Sequence, residues 1–146
     1  MIAVVVPMSL VLAALAVLHA YWGMGGVWPG TDEKSCARTI AGFRGIQRMP
    51  GPMQSFAVAV VLLVAAYLAL AAGDYGSRIL PAGIVLVGGA LAALVFLTRG
   101  VMGYLPAWRR LTPEMPFARY DRRYYSPLCL ALGAGFAFLT FQGLVS

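Results

Sequence analysis

The chain's single histidine, His19, stands beside Tyr21 and Trp22 near the end of a long apolar stretch. An imidazole in that setting suits general acid/base chemistry or contact with a polar ligand group, and it equally suits a neutral hydrogen bond to a neighbouring helix. As a metal or haem ligand it lacks companions, since there is no second histidine, no HExxH and no HxxxH; no metal is expected. Chemistry also gathers in Arg119-Tyr120-Asp121-Arg122-Arg123-Tyr124-Tyr125. Guanidinium groups bind phosphate or carboxylate in bidentate fashion, and Asp121 could hold one of them by an ion pair. The alternative is that these arginines are topology signals and contacts for anionic lipid. Cys36 and Cys129 have no CxxC spacing and read as small hydrophobes with free thiols. No GxSxG, P-loop or GxGxxG context appears, so hydrolase, nucleotide and dinucleotide sites are unsupported and the sequence names no cofactor.

The elements that must position these residues are dictated by solvent. Of 146 residues, 61% are hydrophobic and 11% charged, against roughly 45–50% and 25% in soluble chains. Four stretches reach the roughly 20 apolar residues a spanning helix needs: residues 2–22, 54–72, 80–98 and 127–145. The expected fold is an all-α membrane protein, a four-transmembrane-helix bundle forming one domain over residues 1–146. The first stretch has no basic region before it and no small-residue cleavage site after it, so it reads as a retained span. Gly73-Asp74-Tyr75-Gly76-Ser77-Arg78 is a short turn between the second and third spans. Gly89 with Ala93, and Ala131 with Gly135, have the small-xxx-small spacing that lets helices approach closely.

With four spans, both long connections emerge on one side. Every Lys and Arg except Arg78 falls in or beside those connections, among them Lys34, Arg38, Arg44 and Arg48 in the first and Arg99 through Arg123 in the second. The positive-inside rule then puts both connections in the cytoplasm and both termini in the periplasm. The formal charge of +6 is read as this topological bias and not as a nucleic-acid surface. Placing Asp32 to Met49 on a helix gathers its four cations within an arc of roughly 120°, opposite Cys36, Ile40, Phe43 and Ile46. Thr31 or Asp32 caps its start and Pro50-Gly51-Pro52 stops it. That predicts an amphipathic interfacial helix in the first long loop.

Three segments carry a family likeness: Leu18 to Gly26 (LHAYWGMGG), Arg99 to Tyr104 (RGVMGY), and above all PFARYDRRYYSPLCLALG from Pro116 to Gly133. With them the whole chain resembles a bacterial family of small integral membrane proteins known as a domain of unknown function, number 3995. The resemblance implies a multi-pass protein of the bacterial cytoplasmic (inner) membrane and attaches no activity.

The likeness residues converge on the basic end of the bundle. The candidate ligand-binding set is His19, Tyr21, Trp22, Arg99, Asp121, Arg122, Arg123 and Tyr124, with His19 the candidate catalytic group. The first expectation is a cleft, apolar inside and arginine-ringed at its mouth, that binds an anionic amphiphile such as a phospholipid, an isoprenoid phosphate or a fatty acid. The second is a membrane enzyme acting on such a molecule through His19. The third is an accessory subunit whose small-residue faces dock a membrane protein partner or a second copy. Membrane lipids are the expected partners in each.

Overall fold

A bilayer leaves backbone N–H and C=O groups no water, and a helix satisfies them within one segment. The computed structural model, which describes residues 1–75 and 79–145, builds four such segments: α1 (Ile2–Gly23), α3 (Pro52–Ala72), α4 (Ala82–Met102) and α7 (Ser126–Val145). At 1.5 Å per residue each is about 30–33 Å long, the thickness of the hydrocarbon core. Among the described residues there is no strand. The expected spans are all present and shifted by a few residues. Pro52 occupies the first turn of α3, where its missing N–H is harmless, and Pro81 caps α4. The third span runs on to Met102, so Arg99 lies in its last turn instead of just beyond it.

The helices pair as α1 with α3 and α4 with α7, and the two pairs meet mainly through α3. Small residues make both pairings close. Ala65, Ala66 and Ala69 bury one face of α3 against Val5, Leu12 and Ala16 of α1. Gly89 and Ala93 are buried on α4 as the spacing predicts. On α7 the face differs from expectation: Ala131 is exposed, and Gly133 is the residue under α4, where a Cβ would stand 2.8 Å from the Leu97 backbone nitrogen. Gly135 meets Met8 of α1 instead. Val60, Val61, Leu91 and Leu94 face outward, the arrangement of a bundle solvated by lipid.

The interfacial helix is shorter than the charge pattern suggests. α2 spans Glu33–Ile40. Asp32 caps it, accepting from Ser35 N–H at 2.7 Å while Ser35 Oγ accepts from Asp32 N–H at 3.0 Å. It ends because Gly42 turns left-handed (φ +65°) and sends its N–H back to the Ala37 carbonyl, and because Gly42 sits where any side chain would strike the Phe117 ring. Lys34 and Arg38 therefore lie on the helix, while Arg44 and Arg48 lie past it. The second connection contains α5 (Pro106–Leu111), α6 (Phe117–Tyr120) and a π-helical turn (Asp121–Tyr125) that runs into α7. In the hairpin between α3 and α4, Asp74 takes a left-handed turn conformation (φ 64°), while Gly76, Ser77 and Arg78 lie outside the described residues.

Candidate functional site

The two long connections fold onto each other at the basic end. Arg44 N–H donates to the Leu111 carbonyl and Arg44 Nη2 to the Arg110 carbonyl, both at 3.1 Å, and Glu114 N–H donates to the Gly42 carbonyl at 3.1 Å. Glu114 Oε1 accepts from Gly45 N–H at 3.0 Å, and its Oε2 lies 3.0 Å from Arg38 Nε in an ion pair. The Gly45 N–H, followed by the Arg38 charge, holds the Glu114 carboxyl below its usual range. Tyr125 donates its hydroxyl to the Thr39 carbonyl at 3.2 Å, and Phe43 meets Trp108 edge-on. Beneath this layer Cys36, Phe117 and Thr112 are fully buried. Burial pushes the Cys36 thiol up, away from the reactive thiolate. Both cysteines are unpaired.

At the centre of the layer is Asp121, 0% exposed. Its Oδ1 accepts from Arg99 Nη2 at 2.7 Å and from Ser126 Oγ at 3.3 Å, and its Oδ2 accepts from Trp108 Nε1 at 3.0 Å. The Arg99 guanidinium also lies over the Trp108 ring, 5.1 Å from its centroid. A carboxylate taken out of water must find such partners, and here an arginine, an indole and a hydroxyl together supply them. The π turn makes the set possible. Ser126 N–H bonds to the Asp121 carbonyl five residues back, which stacks the two side chains; in an α-helix at 3.6 residues per turn they would diverge by about 140°. Gly103 completes the set from α4, since a Cβ there would strike Ser126 Oγ and stand 3.1 Å from Asp121 Oδ2.

His19, Tyr21 and Trp22 form a second cluster at the end of α1. His19 Nδ1 lies 2.8 Å from the Leu15 carbonyl of its own helix. Since a carbonyl can only accept, Nδ1 carries the proton of that bond. The ring packs edge-on against Trp22 at 4.9 Å. Trp22 Nε1 donates to the Trp28 carbonyl at 2.7 Å, Trp28 N–H donates to the Tyr21 hydroxyl at 3.3 Å, and Gly26 lies against the Tyr21 ring. These bonds fold the start of the first connection back over α1. Of the sequence-predicted set, the structure thus joins Arg99 to Asp121 directly, while the hydrogen bond and ring contact of His19 stay within α1.

A protein-family model described as a protein of unknown function, DUF3995, matches residues 12–136. The chain belongs to the DUF3995 family. No curated protein and no solved structure matches it. In this DUF3995 protein both clusters lie inside the matched region.

The remaining predicted residues, Arg122, Arg123 and Tyr124, sit on the outer side of the π turn. The Arg122 carbonyl accepts from the Tyr104 hydroxyl at 3.2 Å, and the Arg123 guanidinium lies over the Tyr124 ring at 5.5 Å. Arg122 and Arg123 join Arg109 and Arg119 around an open hollow of about 450 Å³, floored by Met115 and Ala118. Trp108, Ser126, Gly103 and Arg109 were not foreseen as site residues, and Arg119, though part of the charged run, was outside the candidate ligand-binding set. Trp108 and Arg109 lie outside the charged run around Asp121, and the Asp121–Ser126 spacing has meaning only on a π turn. Among the described residues no three of His, Cys, Asp or Glu gather as a metal site.

Proposed function

We propose that this DUF3995 protein binds the anionic head of a membrane amphiphile at its basic end. In this reading it sits in a bacterial inner membrane with both long connections in the cytoplasm. The observation that carries it is the hollow between α5, α6 and the π turn. Four arginines, Arg109, Arg119, Arg122 and Arg123, line it and no acid does. Guanidinium groups are the side chains best matched to phosphate and carboxylate oxygens. Met115 and Ala118 give the same hollow an apolar part to its lining. The buried Asp121 set is then the support of the site: it anchors α5 and the π turn, the two elements that supply Arg109, Arg122 and Arg123.

Mass spectrometry of protein purified in mild detergent tests the reading. A retained anionic lipid that is lost from the Arg119→Gln, Arg122→Gln double variant is the expected result. Retention of the same lipid by that variant would overturn it. The enzyme reading has less support, because His19 engages its own helix and contacts Trp22.

A further inference from the structure

The charge balance inside the hollow points to the kind of head it takes. Each acid on this end is already committed elsewhere. Asp121 turns inward to Arg99, Trp108 and Ser126; Glu114 holds Gly45 N–H and Arg38; Asp32 caps α2 through Ser35; and Glu33 accepts from Met49 N–H at 3.1 Å. Among the described residues the side chains of Arg119 and Arg122 have neither a hydrogen bond nor an ion pair, and Arg109 Nη1 is buried without an acceptor. Four arginines therefore line one open volume, and no acid lines it to supply a counter-charge. A single negative charge offsets little of their mutual repulsion. A dianion with three free oxygens offsets more and has enough acceptors for several guanidinium edges.

We infer that the hollow selects a phosphomonoester dianion, the head of a lipid phosphate, over the single charge of a phosphodiester head. This rests on the amphiphile reading of the same site and narrows it. About 450 Å³ accommodates a phosphate together with the first carbons of its ester, which Met115 and Ala118 would meet.

Isothermal titration of the full-length protein in a neutral detergent, with short-chain phosphatidic acid, short-chain phosphatidylglycerol and inorganic phosphate as separate ligands, tests it. Phosphatidic acid should bind at least about tenfold tighter than phosphatidylglycerol, the return of one added charge-assisted hydrogen bond. That preference should fade as pH falls through the second ionisation of the phosphate, near about 6, while phosphatidylglycerol binding stays level. Arg119→Gln and Arg122→Gln, both at exposed positions, should keep the fold and draw the two affinities together. Equal affinity for the two lipids in the unaltered protein would overturn the dianion inference and leave the amphiphile proposal standing. Binding of neither would overturn both. Inorganic phosphate binding as tightly as phosphatidic acid would keep the dianion and overturn its lipid source.

Discussion

Asp121 and Arg99 form a charged pair in which the acid is fully buried and the arginine side chain is 30% exposed. Asp121→Asn preserves shape but removes the charge that three donors converge on. Loss of one partner of a buried pair costs roughly 3–5 kcal/mol, and the exposure of Arg99 places this case toward the lower end. The expected outcome is a lowered thermal unfolding midpoint in detergent with membrane insertion retained; an unchanged midpoint would show that the pair contributes nothing net. Gly103→Ala tests the same set without touching charge. Its Cβ would strike Ser126 Oγ, and that hydroxyl belongs to the backbone-fixed start of α7. It should destabilise by about 1–3 kcal/mol, as overpacking does, and Ser126→Gly in the same chain should restore part of the loss. No recovery in the double variant would mean that the clash lies elsewhere.

At the scale of elements, the two connections are held together largely by backbone groups, and the half-buried Glu114 is their latch. Its folded pKa lies below the ordinary value of 4.5 because Gly45 N–H and Arg38 favour the carboxylate. A group shifted downward stabilises the docked state above its unfolded pKa, and that contribution is lost as pH falls through the folded value. Asp32, held low chiefly by Ser35 N–H, adds a loss of the same sign at the start of α2. Hydrogen exchange at Gly45, corrected for its intrinsic rate, should therefore show protection at neutral pH that declines below 4.5. Glu114→Gln should weaken protection at neutral pH and flatten the decline at Gly45. Protection that persists in acid would assign the docking to the backbone bonds of Arg44 and Gly42 alone.

For the whole molecule, the gathering of cations beside two connections on one side of four spans predicts an orientation. Alkaline phosphatase fused at Ser146 should be active and a fluorescent protein fused there dark, as periplasmic termini require. The reverse pattern would invert the orientation and put the arginine hollow outside the cell. Cys36 and Cys129 supply an independent check. In the proposed orientation both lie toward the cytoplasmic side, where thiols stay reduced, so alkylation after denaturation should label both. A native disulfide would contradict the orientation and the structure alike.

Four apolar runs, the side on which charge collects and the cap of α2 were legible in the sequence because each depends on local composition and on residues three or four apart. The family likeness was legible too, since it lies in contiguous runs such as Pro116 to Gly133. The end of α2 at Gly42 was not, because Phe117, far along the chain, helps to exclude a side chain there. Nor was the packing face of α7, where Gly133 and not Ala131 meets α4: small-residue spacing fits several faces of an apolar helix, and only the partner helix selects one. Tertiary structure also decided which arginine Asp121 holds. By sequence Asp121 could hold an arginine of its own run, Arg119, Arg122 or Arg123, but the π turn aims it inward at Arg99 in the last turn of α4, and the other three line the open hollow.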